Sequence, residues 1–432
     1  MKDLRIGLAG LGTVGAEVAR HLLNPSAELH KASAARLVLR AVSARSATAD
    51  RGFDMTGLDF EGEASALARR DDIDLVVELI GGEDGPAEAL VTAALEAGKP
   101  VVTANKALIA RHGQRLAELA EARSAALCFE AAVAGGIPAI KLLGAGLAAN
   151  RISRISGILN GTCNYILSEM AASGRDFADV LAEAQEKGYA EADPGFDIDG
   201  IDAAHKLAIL AAMAFGRQVD MDSVKIAGIR PISALDIQQA DKLGYVIRLL
   251  GVAARDQAPQ VQPCLLPADS QLAKVSGALN AVEFDGEPVQ NIICIGPGAG
   301  AGPTASAVLA DILDSAGGRT GPAFGRPAAQ LQKAPAKAAP HPPQAFYLRL
   351  EVADRPGVLS EITAILRDKG ISVAAMLQQA AGEAERASLV LTTHQTSADA
   401  MQEACDRLAE LDVCSGRPLA LAILNGDMMG QG

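Results

Sequence analysis

The chain has 432 residues, 49% of them hydrophobic and only 3% aromatic, with a net charge of −13. That length suits about two to four domains with cores of Ala, Leu, Ile and Val, and the acidic balance argues against non-specific nucleic-acid or anionic-membrane binding. The cysteines at 128, 163, 264, 294, 405 and 414 lack CxxC or Cys/His spacing, which argues against a disulfide framework or zinc site and fits a reducing cytoplasm.

The N-terminus, MKDLRIGLAG, starts as a strand rather than a signal peptide. The helical stretch AEVARHLL follows, and LVLRAVS, DLVVELI, KPVVTA and ALCFEAA read as further strands. Strands alternating with helices imply α/β architecture, a Rossmann-like doubly wound parallel sheet over residues 1–136, completed by about 302–330. Residues 137–301 read as a mixed α+β substrate and dimerisation domain, with ISRISGIL, SVKIAGI and PVQNIICI as strands. Residues 331–345 are Pro/Ala-rich and aperiodic, as a linker is. From 346 to 425 the pattern is βαββαβ, a small ferredoxin-like module. No uninterrupted apolar run reaches the ~20 residues of a membrane helix, so a soluble, cytoplasmic protein is expected.

Gly10-Leu11-Gly12-Thr13-Val14-Gly15 lies between the first strand and the first helix. The first glycine makes the turn, the second admits a pyrophosphate, and the third lets helix and strand pack closely. The second strand ends in AVSARS, with no acid to hold ribose hydroxyls and with Arg45 close by. A guanidinium pairs with a 2′-phosphate, which favours NADPH over NADH; a merely solvated Arg45 is the alternative. Thr103, Asn105 and Lys106 follow the strand KPVVTA, where sheet topology puts the nicotinamide crevice. A plain exposed loop lysine is the competing reading of Lys106.

The segment EADPGFDIDGIDAAHK crowds Glu191, Asp193, Asp197, Asp199 and Asp202 before Lys206. A calcium loop is excluded: aligning DIDG to that pattern puts Gly195 and Lys206 at its first and last ligand positions. In a helix, Asp202 and Lys206 share one face at i, i+4 spacing. A lysine there either serves chemistry or snorkels out of an apolar helix. Asp193 and Asp199 read as turn residues, and Asp197 stays open between bracing and binding.

These motifs resemble the long, ACT-containing homoserine dehydrogenases over essentially the whole chain. The resemblance rests on GLGTVG, ELIGG, TANK, FEAAVAGGIP, GILNGTCNYIL, the EADP–AHK segment, LGYVIRLLG and GPGAGAGPTASAV. Cys163 stands where the family usually has Thr, and AGIRPIS departs from the usual EGI-type stretch. The resemblance implies interconversion of L-aspartate 4-semialdehyde and L-homoserine, a step toward threonine, methionine and isoleucine. It implies Lys206 as general acid, Asp202 beside the reacting oxygen, and Lys106 as a second lysine near the nicotinamide. Glu191 matches the residue holding the substrate ammonium, with Gly161, Thr162 and Asp197 completing the substrate site. Gly81 and Gly298 join the cofactor residues. A sodium ion is implied at Glu130, Val133, Gly135 and Ile137.

The turn Asp354-Arg355-Pro356-Gly357-Val358-Leu359 resembles the ACT signature. It implies feedback inhibition, with L-threonine the first candidate effector, contacted by Asp354, Gly357, Val358, Leu359 and Gln378. A purely dimerising module is the alternative. The family resemblance further implies a homodimer or homotetramer. Two rival readings remain, another amino-acid dehydrogenase and a sensor without catalysis. GILNGTCNYIL opposes the first, and intact Lys106, Asp202 and Lys206 oppose the second.

Overall fold

The computed structural model describes residues 2–333, 338–380 and 386–424, without the side chains of 378–380. Six short strands form the first sheet: β1 (Asp3–Ala9), β2 (Arg36–Ser43), β3 (Asp59–Glu61), β4 (Leu75–Glu78), β5 (Val101–Thr103) and β6 (Leu127–Cys128). Their order is β3-β2-β1-β4-β5-β6, with every neighbouring pair parallel. The inner strands are apolar on both faces because helices cover both: Ile6, Leu8, Val76, Val77, Val101 and Val102 are fully buried. The chain order reverses between β1 and β4, and the crevice beyond the carboxyl ends at that point is where such sheets take ligands. The helix Ala301–Ala316 returns to this domain, burying Ala305, Val308 and Ile312 in one core with Ile6, Leu8 and Val18.

The stretch ALCFEAA is a strand only at Leu127–Cys128. The chain then turns into a short 3-10 helix, and the Glu130 amide donates to the Asp311 carboxylate (2.9 Å) instead of a ladder carbonyl. Likewise SVKIAGI contributes only β8 (Lys225–Ile226).

The second sheet is mixed. It adds β7 (Arg151–Ile158), β9 (Tyr245–Ala254), β10 (Gln260–Pro267), β11 (Leu279–Glu287), β12 (Gln290–Pro297), β13 (Ala345–Ala353), β14 (Val373–Ala380), β15 (Arg386–Thr393) and β16 (Leu419–Ile423). The order is β12-β11-β7-β9-β10-β16-β13-β15-β14, with β8 beside β10. The C-terminal βαββαβ module is therefore no loose appendage. Its edge strand β16 pairs with β10 of the middle domain (Cys264↔Ala422, Leu265↔Ile423). Leu250, Cys264 and Leu266 share one buried cluster with Phe346, Leu348 and Ile362. A buried ion pair reinforces the joint: Arg349 Nε lies 2.8 Å from Asp236 Oδ1, and the Tyr347 hydroxyl donates to the same oxygen at 2.9 Å.

The described parts of the Pro/Ala-rich linker are also tied down. Gln218 N donates to Gln332 O (2.8 Å) and Ala339 N to Asp256 O (2.8 Å). Among the described residues, no helix is long and apolar enough to cross a membrane.

The helix Ile201–Phe215 lies at the centre of the middle domain, against β7 and β9 on one side and the helix Lys106–Ala122 on the other. Every residue from Asp202 to Phe215 is buried. An all-round apolar helix suits such a position, and its two charged residues stand at its first turns. Gly200 opens it with φ +86°, left-handed backbone that disfavours a Cβ.

Candidate active site

Lys206 is 8% exposed and Asp202 4%. The ammonium of Lys206 donates to Asp202 Oδ2 (2.7 Å) and to the Leu159 carbonyl (2.8 Å). From the other side, Lys106 Nζ lies 3.1 Å from Asp202 Oδ1. The Asn160 amide donates to Asp202 Oδ2 and to Asp197 Oδ1, both at 2.8 Å. One buried carboxylate thus orients two lysines and an amide.

Burial opposes the charge on Asp202, but the Lys206 and Lys106 ammoniums outweigh it and hold its carboxyl far below the usual range. Asp197 moves the other way: burial, then the neighbouring Asp202 charge, push its carboxyl up. Burial above all raises the Cys163 thiol well above its ordinary value, and its Sγ faces the Asp197 carbonyl at 3.2 Å. Cys163 is a packed thiol, not a nucleophile.

Asn160 also caps the helix Gly161–Ser173, its Oδ1 accepting from Cys163 N (2.8 Å). Gly161 and Thr162 form that helix's N-terminus, whose free amides suit a carboxylate. The Thr162 hydroxyl bonds Asp197 Oδ2 (3.1 Å) and the Tyr189 carbonyl (2.8 Å). Asp197 thereby braces both Asn160 and Thr162 beside the Lys206 cluster. Asp199 pairs with Arg230 (Nη2–Oδ2 2.9 Å), and Asp193 accepts from Gly195 N, so both shape the loop. Glu191 is exposed, and among the described residues its side chain has no hydrogen bond or ion pair; the structure does not join it to the Lys206 cluster.

At the glycine turn, Gly10 has φ +91°, and a Cβ there would fall 2.3 Å from the Leu79 carbonyl oxygen. A Cβ on Gly15 would fall 1.8 Å from the Gly10 carbonyl oxygen, so the turn and the helix Thr13–Leu23 interlock. At Gly12 a Cβ would meet nothing within 4 Å, which leaves the backbone open to a pyrophosphate. Val14 follows in the first turn of that helix, beside Thr13. A crevice of ≈ 580 Å³ runs from Gly10 and Gly12 past Arg45 and Arg51. Its size suits a nucleotide. Arg45 is exposed and makes no hydrogen bond or ion pair among the described residues, whereas Arg51 donates to Ala49 O (2.7 Å).

Of the three residues expected at the crevice after β5, only Lys106 presents its side-chain charge to the site. Thr103 is fully buried, donates to Glu78 Oε2 (2.5 Å) and accepts from Asn105 N (2.9 Å). Asn105 caps the helix Lys106–Ala122 and donates to the Gly82 carbonyl (2.7 Å). Glu78, which sequence reasoning passed over, also accepts from Ile80 N (2.7 Å) and Gly81 N (3.0 Å) and so sets the cofactor-side loop. Gly298 abuts Gly135: a Cβ on Gly135 would fall 2.6 Å from the Gly298 carbonyl oxygen.

Glu130, Val133 and Ile137 are buried in one loop with Gly135. The Glu130 carboxylate accepts from Ile140 N (3.1 Å) and Lys141 N (2.7 Å), and burial together with the Asp311 charge pushes it up to about 7. At the C-terminal module, Asp354, Gly357, Val358 and Leu359 line a cavity of ≈ 360 Å³ at the start of the helix Val358–Asp368. The Gln378 side chain, expected at the effector, lies outside the described residues.

Comparison with known proteins gives a consistent picture. Residues 10–130 match the homoserine dehydrogenase NAD-binding domain, 138–313 the homoserine dehydrogenase catalytic family, and 346–410 the ACT domain. A homoserine dehydrogenase of Pseudomonas aeruginosa is 41% identical over 427 residues, covering 96% of this chain and 98% of its own. The crystal structure of a homoserine dehydrogenase from Thiobacillus denitrificans superposes with TM-score 0.90 at 41% identity, over 98% of this chain and 99% of that one. A hyperthermophilic archaeal homoserine dehydrogenase in complex with NADPH covers 74% of this chain and 99% of its own, with TM-score 0.64 and 26% identity.

Proposed function

The chain belongs to the homoserine dehydrogenase family, NAD(P)-dependent oxidoreductases of amino-acid biosynthesis, and from that premise we propose how it works. It reduces L-aspartate 4-semialdehyde to L-homoserine, with NADPH preferred as the hydride donor. The observation that carries the mechanism is the pairing of Lys206 and Lys106 on the two oxygens of buried Asp202. An ammonium has three protons to donate. Lys206 gives one to Asp202 and one to the Leu159 carbonyl, which leaves the third for a substrate oxygen. Hydride arriving at the aldehyde carbon builds an alkoxide on that oxygen. The fixed ammonium stabilises the charge and then donates the proton. Asp202 keeps the Lys206 ammonium aimed, and Lys106 adds positive potential from the cofactor side. The free amides at Gly161 and Thr162 suit the substrate carboxylate. Glu191 remains our candidate for the substrate ammonium, on the family match of its position.

NADPH preference rests on Arg45, which lines the crevice that begins at Gly10 and has no ion pair among the described residues. Arg45→Ala is expected to weaken NADPH by roughly tenfold or more, the scale of a charge-assisted phosphate contact, and NADH hardly at all. Equal effects in steady-state titrations would remove the 2′-phosphate contact. Sodium is proposed at the 130–137 loop, mainly on the main-chain carbonyls of Glu130, Val133, Gly135 and Ile137, and a cation there would favour the ionised form of the buried Glu130 carboxyl, which burial pushes up to about 7. L-Threonine is proposed at the cavity of Asp354 and Gly357 as a feedback inhibitor, and the continuous β10–β16 pairing gives that module a physical hold on the catalytic domain. The direct test is oxidation of NADPH by purified protein on addition of aspartate semialdehyde. No turnover would sink the reaction as proposed.

A further inference from the structure

Phe196 has no role in the scheme above, yet it stands at the site. It belongs to the short helix Gly195–Ile198, and 41% of it is exposed, unusual for a ring beside buried charges. The Lys106 ammonium sits 5.4 Å from the ring centroid. On another side, the His205 ring packs edge-on at 5.4 Å between centroids and 72° between planes. His205 is buried, and its Nδ1 has no hydrogen-bond partner among the described residues. The tilted Phe196–His205 geometry is one that ring quadrupoles favour.

Lys106 needs such a support. Its side chain is 32% exposed on a flexible stem, and Asp202 is its ion-pair partner among the described residues. A single ion pair fixes the distance of an ammonium from a carboxylate but leaves its direction free. The electron-rich face of an aromatic ring supplies a second anchor. We propose that Phe196 is a positioning residue: its ring face, braced by His205, holds the Lys106 ammonium at the mouth of the Asp202 pocket. The inference rests on the reading that Lys106 assists the reaction.

A double-mutant cycle tests it, with kcat and KM for aspartate semialdehyde measured for Phe196→Leu, Phe196→Tyr, Lys106→Met and Phe196→Leu/Lys106→Met. Phe196→Leu keeps apolar bulk and removes the π-face. It should lower kcat/KM roughly two- to thirty-fold, the range of cation–π energies from exposed to desolvated sites. Phe196→Tyr should restore at least half of the loss. In the Lys106→Met background, Phe196→Leu should change nothing further. Thermal unfolding and NADPH affinity should stay near wild type in the Phe196 variants, since the ring is part-exposed. Three results overturn the proposal: full activity in Phe196→Leu, no rescue by tyrosine, or an undiminished Phe196→Leu effect when Lys106 is already gone. Near-normal kcat/KM in Lys106→Met alone would instead refute the assisting role of Lys106, a separate failure that the same four enzymes reveal.

Discussion

Replacing Lys206 with methionine is expected to lower kcat by roughly a hundred- to ten-thousand-fold, the usual worth of a positioned general acid. NADPH affinity should change by less than about threefold, because Lys206 stands on a helix of the middle domain and bonds Asp202 and Leu159 rather than the glycine turn. Methionine fills most of the lysine volume in a helix that is buried from Asp202 to Phe215. The substitution does strip one cation from Asp202, which keeps Lys106 and the Asn160 amide. Some stability is therefore lost along with the acid, and a thermal melt separates the two losses. The Asp202 carboxyl is held below its ordinary value of 3.8. Its contribution to stability is accordingly present above that pH and is lost only as pH falls through the depressed folded value. A kcat within tenfold of wild type, in a variant that melts as a folded protein, would take the acid role away from Lys206.

The residues behind that prediction were legible because helical spacing is local. Asp202 and Lys206 sit four apart, and four apart in a helix means one face. The glycine turn was legible for the same reason, since its three glycines act within six residues of chain. Partners from distant segments left weaker traces. Asn160 carries a readable signal, an Asn ahead of a helix start, but that pattern announces the cap at Cys163 N and not the bonds to Asp197 and Asp202. Glu78 ends a strand as an ordinary acid would, and its service to Thr103, Ile80 and Gly81 depends on β4 and β5 lying side by side. Strand β9 reads YVIRLLGVAA, a near-continuous apolar run that helix and strand share, so the middle sheet was undercounted. The docking of the C-terminal module had no local signal at all. A ferredoxin-like pattern predicts the module's own four strands but not that β16 joins β10, because register between distant strands is set by tertiary packing.

That docking yields the second large effect. Arg349→Met should destabilise the folded protein by about 3–5 kcal/mol, the cost of breaking a buried ion pair from one side. Asp236 has no exposed surface and accepts from Ser233 N (2.8 Å), the Ser233 hydroxyl (2.7 Å) and Tyr347 as well as from Arg349. Without the guanidinium its charge stays buried with only neutral donors. Arg349 also spans the joint, donating to the Pro231 carbonyl at 3.2 Å. In Arg349→Met the C-terminal module and the helix Ala234–Lys242 should therefore gain hydrogen exchange before the rest of the chain. The partner substitution decides the cause. Arg349→Met combined with Asp236→Asn removes both charges, keeps a side-chain acceptor for the Tyr347 and Ser233 donors, and should recover part of the lost stability. A single variant that loses less than about 1 kcal/mol would mean that the apolar cluster around Leu348 and Leu266 alone holds the module.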